Sequence, residues 1–174
     1  MDEQTVVNRT GEQEGNGRLV FPTSRFGEVT VAANTLLHFP RGMVGLPESQ
    51  RFVFLHDDGN PSPVFWMQSV DDPSLAFLVC EPGPFFPDYE IQLEEADQKL
   101  LGIRTEDDAL VCVILVVPED PKNVTANLRG PVVINTLTRT GLQLVLAGEQ
   151  YPVKAPLISE EIETVGEGGE ACSS

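Results

Sequence analysis

The stretch that most limits what this chain can fold into is Leu110 to Asn135, LVCVILVVPEDPKNVTANLRGPVVIN. Its first eight residues are apolar without a break and mostly β-branched, the composition of a strand covered on both faces. Pro118 ends the run. The Pro118-Glu119-Asp120-Pro121 corner fixes φ at two positions and presents two carboxylates, so the chain leaves the sheet there and exposes charge. Two more apolar runs follow, Val124 to Leu128 and Val132 to Asn135, separated by a break at Arg129-Gly130-Pro131. The remaining segments are expected to complete a sheet around these three.

From Arg25 to Ala32 the sequence alternates as a half-exposed strand does, with Phe26, Val29 and Val31 as buried candidates if Gly27 hosts a bulge or turn. Thr35 to Phe39 is a return strand ended by Pro40. Further strands are expected at Arg51–Leu55, Pro63–Val70, Leu75–Cys80 and Leu142–Leu146, with a turn from His56 to Pro61. Pro82-Gly83-Pro84-Phe85-Phe86-Pro87 cannot join a regular ladder, because three prolines remove three donors. One helix is predicted over Leu93–Gly102: apolar residues at 93, 96, 100 and 101 share a face, acids crowd the first turn, and Gly102 supplies the stop. About nine short strands, one helix and turns rich in proline and glycine predict a mainly β chain, an antiparallel β-barrel-like single domain with one short α-helix. Residues 1–18 and 155–174 have little apolar material to bury and are expected to be disordered tails around a body at 19–154.

Charge narrows the partners. The formal net charge is −16, and residues 19–154 alone hold eighteen acids against nine bases. Such a body repels phosphate backbones, whose binding depends on Lys and Arg displacing counterions, so no direct nucleic-acid binding is expected. A basic protein partner suits it better, although on composition alone simple solubility accounts for the charge as well. Cys80, Cys112 and Cys172 show no paired spacing, and the first two sit in apolar runs as small hydrophobes. No basic leader with an apolar stretch opens the chain and no apolar run is long enough to span a bilayer, which predicts a cytoplasmic protein off the membrane. The sequon Asn123-Val124-Thr125 then has no glycan to carry.

Chemistry is sparse. His38 and His56 lie in different segments without metal-ligand neighbours, so no metal or cofactor is expected. Ser69, His38 and Asp71 could form a triad only on paper, since no nucleophile motif surrounds the serine. The pairs Asp57/Asp58, Asp71/Asp72 and Asp107/Asp108 are neighbours in sequence that point to opposite sides of an extended chain, as solvated turn residues do. Gly42 and Gly45 in Arg41–Pro47 lack the Lys-Ser/Thr pair of a phosphate loop and are expected to build a turn. No catalytic residue is expected. A ligand-binding β-barrel would instead require a lined cavity.

Several segments together resemble one family. Phe65 to Phe77 (FWMQSVDDPSLAF), Pro87-Asp88-Tyr89, VVPEDP at 116–121 and TANLRGPVVIN at 125–135, with Arg25-Phe26-Gly27-Glu28-Val29 and Phe39-Pro40-Arg41-Gly42, are similar in order and spacing to the flagellar assembly factor FliW family. The resemblance covers residues 24–152. It implies a non-enzymatic, barrel-like protein that binds flagellin and also the translational repressor CsrA, with the two partners competing for it; separately, the chain is expected to be a monomer when unbound. For such a protein the exposed acids Asp71, Asp72, Glu119 and Asp120 would give orientation and on-rate, and Phe85, Phe86 and Tyr89 an apolar anchor. The alternative for these three aromatics is that they close one end of the barrel.

Overall fold

The computed structural model describes residues 17–56 and 63–157. The expected turn at 56–61 apart from His56, the pair Asp57/Asp58, Cys172 and most of both tails therefore lie outside the described residues. The chain is mainly β. Among the described residues there are ten strands: β1 (Arg18–Thr23), β2 (Gly27–Ala32), β3 (Leu37–His38), β4 (Arg51–Leu55), β5 (Val64–Ser69), β6 (Ala76–Cys80), β7 (Ala109–Val116), β8 (Thr125–Asn135), β9 (Gly141–Gln143) and β10 (Ala155–Pro156). The α-helix α1 (Glu95–Leu101) lies between β6 and β7.

Eight strands form one antiparallel sheet in the order β10-β8-β7-β6-β5-β4-β3, with β9 also paired to β8. An isolated bridge between His38 and Thr140 brings β3 back beside the start of β9. The sheet thus curls round like a barrel but is not closed by a continuous ladder. Alternation along the strands sorts the side chains by face. Phe52, Met67, Cys112, Val132 and Ile134 point inward with Leu37, Phe39 and Met43. Val53 points outward instead and is covered, with Val70, by Leu19 and Phe21 of the β1–β2 hairpin. Val133 is likewise covered on the outside by Leu101 of α1, with Leu142 and Leu144.

The segments expected at 124–128 and 132–135 prove to be one strand. Between Cys112↔Val132 and Ile114↔Asn127 the register slips, so that Arg129-Gly130-Pro131 is absorbed as a bulge rather than a break. The irregular backbone is satisfied from elsewhere: the Asn127 side-chain oxygen accepts the N–H groups of Arg129 and Gly130, and Leu144 and Leu146 donate to the carbonyls of Pro131 and Arg129 at 2.8 Å each. A Cβ at Gly130 would stand 2.9 Å from the Asn127 amide nitrogen and 3.0 Å from that of Gln143, so both side-chain amides would have to shift.

The edges of the body also move. The first strand starts at Arg18 and pairs with β2 about a turn ending at Gly27, whose φ is +70°. Phe26 sits in that turn and is 39% exposed, not buried as its place in the alternation suggested. At the other end Ala155 and Leu157, expected in a tail, are buried, and β10 pairs with β8. The strand expected over 142–146 is shorter, with only Gly141–Gln143 in the ladder.

Candidate partner-binding surface

The connection from β5 to β6 carries Asp71 and Asp72. The Ser69 hydroxyl oxygen accepts the N–H of Asp71 at 3.2 Å and of Asp72 at 2.9 Å, which sets the corner. Buried Gln68 holds the same loop from beneath, its amide donating to the carbonyls of Ser69, Pro73 and Leu75. Asp71 then reaches back to β4, where the Arg51 guanidinium grips both its oxygens, Nε lying 3.2 and 3.1 Å away. Asp72 accepts the amide and hydroxyl of Ser74 at 3.0 and 2.8 Å. Ser69 and Asp71 are therefore engaged in the turn and with Arg51.

Glu119 and Asp120 occupy the connection from β7 to β8, where Asp120 caps a short 3₁₀ turn by accepting the Lys122 N–H at 3.1 Å. The sheet brings these two acid pairs to the same end. Gln68 pairs with Ala76 and Leu78 with Leu115, so the 70–75 and 117–124 connections project from the same side of β5, β6 and β7. Val116 and Val117, 54% and 50% exposed, lie beside Glu119 and Asp120. These two valines were missed as surface residues because the uninterrupted run Leu110–Val117 gives no sign of where burial stops.

Phe85, Phe86 and Tyr89 lie elsewhere, in the connection that leaves the opposite end of β6. They are half-buried against a cluster that includes Cys80, Val113, Leu115, Ala126 and Leu128. The Tyr89 hydroxyl donates to the Leu128 carbonyl at 2.6 Å, and its ring meets Tyr151 edge-on at 4.6 Å. Burial first, and Tyr151 second, raise the Tyr89 phenol well above its ordinary range. This packing fits the role of closing one end of the core.

The β1–β2 turn adds a feature not anticipated from sequence. Ser24 donates to the Pro73 carbonyl at 2.8 Å, placing the hairpin tip against the Asp71–Asp72 loop. There the Arg25 guanidinium lies 4.3 Å from the Trp66 ring centre, and Phe26 meets the same ring edge-on at 6.0 Å. Only the pairing of β1 with β2 reveals this cluster, since no spacing links residue 25 to residue 66.

Other motifs fall into structural roles. Met43 and Leu46 exchange backbone hydrogen bonds at 3.0 and 2.7 Å, so Arg41–Pro47 is a tight turn that inserts Met43 into the core. Asp108 accepts the N–H groups of Arg104 and Thr105 in a capping box. His56 stacks on Phe65 with ring centres 4.8 Å apart, and His38 is exposed. Among the described residues no three His, Cys, Asp or Glu side chains come together as a metal site, and no helix is long and apolar enough to cross a membrane.

Fold and surface together define a class: a mainly β, barrel-like protein whose exposed chemistry lies in turns at the ends of a curled sheet. The FliW protein family model matches residues 20–157. "Flagellar assembly factor FliW 2" of Desulfotalea psychrophila is 38% identical over 134 residues, which is 77% of this chain and 87% of that protein. The flagellar assembly factor FliW of Moorella thermoacetica is 39% identical over 139 residues, 79% of this chain and 87% of that one. A crystal structure of the flagellar assembly factor FliW superposes with a TM-score of 0.75 at 34% identity, covering 82% of this chain and 99% of the other. The chain belongs to the FliW family of flagellar assembly factors.

Proposed function

We propose that this chain couples flagellin supply to filament assembly by holding one of two proteins, flagellin or the repressor CsrA, without making or breaking a covalent bond. The observation that carries this reading is the family match, which spans nearly all of the described body, at 20–157. In this scheme free factor sequesters CsrA and relieves repression of flagellin synthesis, while accumulating flagellin occupies the factor and restores it. The protein acts in the cytoplasm, as a monomer when unbound.

Asp72, Glu119 and Asp120 steer and orient the partner beside Asp71, whose carboxylate is already paired with Arg51, and Val116 and Val117 supply apolar area next to Glu119 and Asp120. Clustered exposed charge raises encounter rates, and adjacent apolar surface slows departure. Phe85, Phe86 and Tyr89 form the wall of the opposite end, available to a partner only along their exposed edges. Support comes from the shared placement of the two acid turns and from the acidic body.

Co-purification of the full chain with flagellin and, separately, with CsrA tests the reading, followed by addition of the second protein to each complex. Capture of both, with each displacing the other, is the expected result. A chain that ignores both at micromolar concentration, or that holds both at once, overturns it.

A further inference from the structure

We propose that the groove beside the first half of β7 is a slot in which a basic, extended segment of a protein partner docks as an added strand. The register between β6 and β7 pairs Leu78 with Leu115 and Cys80 with Val113; carried two residues further, it would set Pro82 opposite Val111. Proline has no N–H to give the carbonyl across a ladder, so pairing stops. The chain turns away instead, with the N–H groups of Phe85 and Phe86 both donating to the Pro82 carbonyl, at 3.0 and 2.7 Å. On its other side β7 remains paired with β8 from Ala109↔Asn135 to Cys112↔Val132.

The phase of the ladder tells which groups are left open. Thr136 donates to the Asp108 carbonyl at 3.0 Å. Antiparallel ladders alternate, so residues 108, 110 and 112 turn their backbone groups toward β8, and 109 and 111 turn theirs away. The Ala109 N–H is used by the Glu106 carbonyl. That leaves the Ala109 carbonyl and both backbone groups of Val111 facing the groove with no strand of the described residues beside them, the condition that invites β-augmentation.

The groove has a volume of ≈ 860 Å³ and an apolar lining that includes half-buried Val111, Ile91 and Leu93. Its rim carries Glu90 and Glu106 against Arg104, and Glu81, Asp88, Glu94 and Asp107 are exposed on the same connection. The complementary occupant is a short strand that sets apolar side chains on that lining and lysines or arginines toward the rim. The chain's own ends do not match. Residues 1–16 hold four acids and a single base, residues 158–174 hold five acids and no base, and a second copy brings a net charge of −16. A basic partner does match, and this proposal rests on the reading above only in taking that partner to be a protein.

The test uses the full chain and a labelled peptide of about nine residues alternating valine and lysine, long enough for a strand of ordinary length. A residue directly opposite Val111 places its side chain on the same face, toward the apolar lining, so the pairing N–H belongs to a valine. N-methylating the valines should abolish binding, whereas N-methylating the lysines should spare it. E90K/E106K should weaken the parent peptide at least about tenfold, with E28K/E48K, at exposed acids outside the groove, within about twofold, because only the first pair borders the slot. Absence of binding, equal weakening by the two double variants, or indifference to valine N-methylation overturns the slot. Any of these leaves capture of flagellin and CsrA untouched, while loss of both captures with peptide binding intact strikes the functional reading and not the slot.

Discussion

Phe86 packs half-buried against the cluster of Cys80, Leu115 and Leu128, so Phe86→Ala removes a large side chain that the core cannot refill. A loss of about 1–3 kcal/mol follows, less than for a fully buried phenylalanine. It is read as a lower urea midpoint with flagellin and CsrA capture kept at native temperature; unchanged melting with lost capture would make Phe86 an anchor instead. Cys80 and Cys112 offer a test of burial itself. For Cys80 desolvation is the larger cause and Glu81 the second, for Cys112 the order is the same with Cys80 third, and each thiol is pushed from 9.0 to about 12. In the unfolded chain these thiols ionise at ordinary values, so above that point the native state binds more protons than the unfolded one. The stability they contribute is whole below pH 9 and is lost as pH rises toward 12, and Tyr89 acts in the same sense. Urea midpoints should fall over this range, less so in Cys80→Ala/Cys112→Ala, and iodoacetamide at pH 8 should label neither thiol until the chain unfolds.

Among the elements, α1 is the least able to stand alone, since seven residues cannot repay helix nucleation. Its C-terminal end is held by Leu101, buried on Val133, Leu142 and Leu144, and by the Asn135 side chain, while Arg41 lies 3.8 Å from Asp97. Asn135 donates to the carbonyls of Leu101 and Gly102 at 2.8 and 3.2 Å and accepts the N–H groups of Leu137 and Thr138 at 2.8 and 3.2 Å. One buried amide thus ties the helix end, the strand end and the turn after it. Asn135→Ala orphans these groups and should cost about 2–4 kcal/mol, with faster amide exchange at Leu137 and Thr138 while β4 and β5 stay protected. The helix was legible because apolar spacing, first-turn acids and Gly102 agree, and Gly102 does adopt φ +71°. Its start was not, because the Leu93 carbonyl is taken by the Gln98 side chain at 2.9 Å, and the helix begins at Glu95. Arg129-Gly130-Pro131 misled for a related reason: the residues of a turn and of a bulge are the same, and the choice between them lies with the partner strand.

At the scale of the whole molecule, a net charge of −16 makes association with a basic protein a screened, long-range encounter. The association rate with CsrA, followed by stopped flow, should fall several-fold from 50 to 500 mM salt, with a smaller change in the dissociation rate. An association rate indifferent to salt would remove electrostatic steering from the account. Element types were readable from the chain itself: proline fixes φ, alternation selects a face, and an unbroken β-branched run has no helical period, so each constraint acts within a few residues of its cause. The same local punctuation marked 82–87 as unable to join a ladder. Only the tertiary structure decided that Val124–Asn135 is one strand, that the Asp71–Asp72 and Glu119–Asp120 turns share an end while Phe85, Phe86 and Tyr89 lie at the other, and that Pro82 leaves Val111 with an open edge. These are matters of register between segments tens of residues apart, and register is settled by which pairing buries both faces and satisfies both backbones at once, a condition that no single stretch of sequence contains.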